Sequence, residues 1–75
     1  MDNNKKIKII EIISKITKVD SKLINENSAM DDFSKWDSLA HLSIMLELEK
    51  KFKKKINTSK MGDLNSVKKI LKFLN

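Results

Sequence analysis

Three side chains within five positions, Asp37, Ser38 and His41, are the residue types of a nucleophilic hydrolase. On a helix His41 would lie one turn beyond Ser38, but Asp37 adjoins the serine and is badly placed to orient the far side of the imidazole. Such chemistry also needs a nucleophile elbow or a glycine-rich oxyanion loop, and the only glycine is Gly62. The triad reading therefore fails on geometry, and no enzyme is expected. A different chemistry suits the same residues. Asp37 is a good helix N-cap, its carboxylate able to accept from an unpaired first-turn amide. Ser38 then sits just inside the helix, near free N–H groups and the positive end of the dipole, so an anionic phosphate attached there would be stabilised. Asp37-Ser38 also reads as a plain helix cap, although Ala40 and His41 follow and no capping box accompanies it.

The element that must position Ser38 is Trp36 to Phe52, WDSLAHLSIMLELEKKF. Leu39, Leu42, Met45, Leu46, Leu48 and Phe52 recur at spacings of three and four, with Ile44 widening the stripe, which predicts a helix with that face towards the core. Upstream, Asn3 or Asn4 can cap a helix reaching about Lys18, with Ile9, Ile13 and Ile16 on one stripe broadened by Ile10, Ile12 and Val19. Residues 20–36 lack a clean period and form a long loop, pinned by Leu23, Ile24 and Phe33, with a turn of helix near Ser21. Downstream of Ile56 there is room for one short helix stopped by Gly62. Asn65 or Ser66 then caps a last helix with Val67, Ile70, Leu71 and Leu74 inward. The sum is an all-α domain over residues 1–75: three main helices, one short one and a long first loop. Ile13 and Phe52 are expected to be buried. The lysine run from Lys50 to Lys55 is expected to be a solvated helix end opposing the dipole, with Lys54 dispensable.

Composition narrows the function. There is no cysteine, hence neither a disulfide framework nor a thiolate metal site, and one histidine cannot build a zinc site alone, so no metal is expected. The apolar runs are too short for a membrane span or a signal peptide, so a monomeric cytoplasmic protein is expected. A net charge of +6 suggests nucleic acid, but all 16 basic residues are lysine and none is the arginine best suited to phosphate and base recognition. The charge is also divided: residues 1–19 carry +3, residues 20–49 carry −5 and residues 50–75 carry +8. The window around Ser38 is acidic within a basic protein. No nucleic-acid partner is expected, although a small basic nucleic-acid-binding domain is the alternative to weigh.

Asp37-Ser38-Leu39, then Leu42, Met45, Leu48-Glu49, Phe52 and Ile56, resembles the DSL-centred second helix of acyl carrier proteins, and NSVKKILKFL resembles that family's last helix. The resemblance implies a four-helix acyl-carrier-type bundle whose Ser38 carries 4′-phosphopantetheine, taken from coenzyme A by a separate Mg-dependent phosphopantetheinyl transferase. The arm's thiol would hold an acyl, aminoacyl or similar group as a thioester for loading enzymes, acyltransferases and synthases of lipid or polyketide biosynthesis. The resemblance also implies that Asp37 supports transferase recognition. Met45, Leu46, Ile56, Met61 and Leu64 lie where such carriers line an acyl pocket, although methionines at these spacings also serve as core filler. Asp32, Leu39, His41 and Glu47 are the expected docking residues, with His41 on the surface beside the attachment site. Lys35-Trp36 stands where the family often has a glycine two residues before the Asp-Ser pair. That departure points to a specialised pathway instead of housekeeping fatty-acid synthesis. A carrier-like interaction protein that is never modified is the remaining alternative.

Overall fold

The computed structural model describes residues 3–74. The chain forms α1 (Asn3–Thr17), α2 (Ser38–Phe52), the single-turn α3 (Thr58–Met61) and α4 (Val67–Leu74), with 3₁₀ turns at Ser21–Leu23 and Met30–Asp32. This is the all-α bundle that the apolar spacings predict. Among the described residues no helix is long and apolar enough to cross a membrane. Asn3 and Asn4 lie within α1 instead of capping it, and the position before them is outside the described residues.

α1 packs against both α2 and α4, and the core gathers where the three meet. Ile9, Ile12 and Ile13 from α1 meet Ile44, Met45 and Leu48 from α2 and Val67, Ile70 and Leu74 from α4. α1 stops at Thr17 without a glycine. Lys18 takes a left-handed conformation at φ 66°, a strain of about 1–2 kcal/mol for a residue with a Cβ. The hydroxyls of Ser14 and Thr17 steady this end by donating to the carbonyls of Val19 and Ile13, each at 2.6 Å.

The long loop is held by its own short polar side chains. Asp20 accepts from the Lys22 amide, Ser28 from the Asn25 amide and Asn25 from the Asn27 amide, the local bonding that favours turns over helix. Two backbone bonds then clip the loop to the start of α4: Met30 N–H to Asn65 O at 2.8 Å and Val67 N–H to Ser28 O at 3.0 Å. Ile24 is buried and Phe33 half-buried as expected, but Leu23 is exposed, because the 3₁₀ turn sends it outward and the extended Ile24 inward. Trp36, which the periodicity left outside the core, is among its most deeply buried members.

The face of α2 also differs from the expected one. Leu39, Leu42 and Leu46 are exposed at 78%, 46% and 51%, whereas His41, Ile44, Met45 and Leu48 are buried. At about 100° per residue the two stripes lie on opposite sides of the helix. Both are apolar and both have helical spacing, so spacing alone cannot select between them.

α2 ends on Lys53, left-handed at φ 52°, and the Glu49 carboxylate accepts from the Ile56 amide at 2.7 Å, which turns the chain back towards the core. α3 ends at Gly62, but that glycine has right-handed dihedrals and a Cβ there would meet nothing within 4 Å. The stop thus does not depend on glycine. Lys54 is not a bystander. Its Nζ donates to Phe73 O at 3.0 Å and lies 4.9 Å from the centre of the Phe73 ring, while Lys5 Nζ donates to Leu74 O at 3.0 Å. These cations satisfy carbonyls at the negative end of α4.

A ranking of stabilities follows. Ile13→Ala removes a fully buried side chain and should cost ~2–5 kcal/mol. Phe52 is only half-buried, so Phe52→Ala should fall at the low end of that range or below it. Lys54→Ala should cost ~0.5–1 kcal/mol, the usual value of an exposed cation–π contact. Urea midpoints read the order directly, and a Lys54→Ala midpoint equal to that of the unaltered protein would mean that this contact contributes nothing.

Candidate functional site

The site is built at the start of α2. Asp37 is extended, at φ −95° and ψ −173°, and its Oδ1 accepts from the Ala40 amide at 2.9 Å. Its carbonyl accepts from the His41 amide at 2.8 Å. Asp37 is therefore the N-cap, and Ser38 is the first helical residue, exposed. The cap is completed by aspartate, so the serine hydroxyl has no part in it. The Ser38 and Leu39 amides head the helix, beyond the reach of any intrahelical carbonyl. An anion esterified at Ser38 would face these donors and the positive dipole end, so the residues present fit a phosphate-linked group.

What holds this start in place is a buried hydrogen-bond relay. The Trp36 indole N–H donates to His41 Nδ1 at 3.0 Å, and His41 Nε2 lies 2.7 Å from Met61 O. Indole can only donate, so Nδ1 is the acceptor and Nε2 carries the proton given to Met61. Trp36 is 1% and His41 7% exposed. The surface placement expected for His41 is thus corrected: the imidazole points inward and ties the residue before the cap to the last carbonyl of α3. A four-residue helix cannot hold itself, and this bond occupies one of its terminal carbonyls.

The other expected residues divide. Met45, Ile56 and Leu64 are buried in the core, and the half-buried Met61 packs against that core. Leu46 is half-exposed on the outer stripe of α2 and is separated from that group. Leu39 and Asp32 are exposed, but the Asp32 carboxylate also accepts from the Ala29 amide at 2.9 Å and so helps close the second 3₁₀ turn. Glu47 is half-buried beside a shallow cleft that it shares with Lys8, Lys15 and Lys51. The outer stripe of Leu39, Leu42 and Leu46, running away from Ser38, is the feature that sequence reasoning missed, together with the Trp36–His41–Met61 relay.

A family model described as a phosphopantetheine attachment site matches residues 8–74. With that match spanning most of its length, the chain belongs to the family of phosphopantetheine-bearing carrier proteins. It is similar to an acyl carrier protein of Buchnera aphidicola subsp. Schizaphis graminum (strain Sg), 35% identical over 74 residues that cover 97% of this chain and 92% of the relative. Members of this family carry a group and do not transform it, so the protein is a carrier and not a catalyst. Its cofactor is phosphopantetheine.

Proposed function

We propose that residues 1–75 form one carrier domain in which Ser38 is the attachment point of 4′-phosphopantetheine. The observation that carries this reading is the division of labour at the start of α2: Asp37 caps the helix, and the adjacent Ser38 is left exposed with its hydroxyl unused. A separate transferase supplies the group from coenzyme A, and Ser38 Oγ becomes its ester oxygen. When bound, the group supplies a terminal thiol that holds cargo as a thioester. The chain's own residues do the rest. Asp37 and the relay fix the direction in which Ser38 points, and the first amides of α2 stabilise the phosphate charge. The exposed Leu39, Leu42 and Leu46 form an apolar stripe of the kind that marks a docking surface, here for the transferase and for loading, acyltransferase and synthase enzymes. Met45, Ile56, Met61 and Leu64 are the side chains that would part to shelter a short cargo. Two of them are methionines, which repack readily. Lys35-Trp36 ahead of the cap supports a specialised pathway.

The direct test is covalent. Incubation with coenzyme A and a broad-specificity transferase should add one phosphopantetheine to the intact mass. No addition with several competent transferases would defeat the reading.

Local charge is expected to govern that encounter, since exposed charges separated by more than ~8–10 Å are largely screened at physiological salt. Asp31, exposed in the acidic window, is a cleaner probe than Asp32, whose reversal would also break a turn. Asp31→Lys should slow modification through the association rate, with a penalty that shrinks as salt rises. Lys69→Glu or Lys72→Glu should leave the rate nearly unchanged. Equal slowing at both places, measured by stopped-time mass analysis across a salt series, would show that whole-molecule charge controls docking.

A further inference from the structure

Nine lysines against one aspartate give residues 50–75 a net charge of +8, and the fold brings part of that charge to one place. A cleft of about 410 Å³ is lined by Lys60, Asp63, Leu64, Lys69, Lys72 and Phe73. Lys54 does not line the cleft but adjoins it, held over the Phe73 ring and bonded to the Phe73 carbonyl. Lys69 is steadied in turn by Asn65 Oδ1 at 3.3 Å. Two of the four cations are thus partly pre-positioned, which lowers the ordering cost of binding an anion. Leu64 is buried and Phe73 half-buried, giving the cleft an apolar floor beneath exposed lysines. Apart from the bond of Lys54 to α4, core packing does not require these ammonium groups, and Asp63 in the lining offsets only part of their mutual repulsion.

We propose that this α3–α4 cleft is a second docking site, which takes an acidic segment of a partner protein. The segment's carboxylates lie over Lys60, Lys69 and Lys72, with Lys54 at the edge, and one apolar side chain rests on Leu64 and Phe73. The shape of the site favours this occupant over other polyanions. An apolar floor set among lysines fits a peptide that places one apolar side chain between carboxylates, and duplex phosphates are matched best by arginine forks, of which this chain has none. The sign is opposite to that of residues 20–49, so the two surfaces select different partners: basic ones near Ser38 and acidic ones here. The site does not depend on attachment at Ser38.

The probe is a fluorescein-labelled peptide of alternating aspartate and glutamate with one central leucine, followed by anisotropy against the full chain. Lys69→Glu with Lys72→Glu should weaken binding roughly tenfold or more. Lys8→Glu with Lys15→Glu, which changes net charge equally at the separate α1–α2 cleft, should weaken it less than about twofold. A peptide with serine in place of the leucine should bind several-fold more weakly to the unaltered protein, an arm that does not depend on any variant folding. Ser38→Ala should bind as the unaltered protein does. Equal losses in the two double variants, indifference to the leucine, or displacement of the peptide by mixed-sequence duplex DNA at equal charge would each overturn the proposal.

Discussion

Ser38→Ala abolishes phosphopantetheine addition in the expected result: the intact mass stays at that of the unmodified chain, while far-UV helicity and the urea midpoint change little. The serine is exposed and contributes nothing to the cap, because the Ala40 amide is satisfied by Asp37. Serine and alanine differ little in helix propensity at a surface position, within about 0.7 kcal/mol, the spread of ordinary residues, and alanine is the better former. Loss of modification without loss of structure separates an attachment role from a capping role. Asp37→Ala should do the reverse in part, costing ~0.5–2 kcal/mol of stability as lost caps do. Ser43 is the internal control, exposed on the same helix five residues further on. Modification of Ser38→Ala at Ser43, located by peptide fragmentation, would transfer the site and sink the assignment of Ser38.

The second large effect is expected at Trp36. Trp36→Ala removes the largest fully buried side chain, a change that costs ~3–5 kcal/mol on packing grounds. It also strips His41 Nδ1 of its donor, and an orphaned buried acceptor adds ~1–3 kcal/mol. A domain of this length is stable by only ~0.05–0.15 kcal/mol per residue, so the variant should be largely unfolded at 25 °C. Trp36→Phe keeps most of the volume and loses only the N–H. It should remain folded with a lowered urea midpoint, and amide exchange in α3 should quicken more than in α1. A folded Trp36→Ala, or uniform exchange in Trp36→Phe, would show that the relay does not bind α3 to the start of α2.

These two positions also mark how far the sequence could be read. The cap and the serine were legible because their signal is local: Asp37 acts on an amide three residues away. Ile9 and Ile13 were legible because the lysines of α1 leave it a single apolar side. α2 has two, and the choice between Leu39-Leu42-Leu46 and Ile44-Met45-Leu48 depends on α1 and α4, which helical spacing within α2 does not contain. His41 reads as a surface residue because its indole donor, Trp36, precedes the helix and falls outside its apolar period. Its other partner, the Met61 carbonyl, lies 20 residues on. Lys54 reads as a free charge in sequence because its contacts are on Phe73, 19 residues away. Local chemistry was visible and tertiary selection was not.

Trp36 is the only tryptophan in the chain, and the relay gives it a use separate from packing. Indole emission responds to whether the ring sits in apolar surroundings or meets water, and this indole is joined through one imidazole to α3. The molecule therefore carries an intrinsic optical gauge at the junction between the attachment end of α2 and the short helix over its interior. A change of seating there can be read as colour from the unlabelled protein in solution.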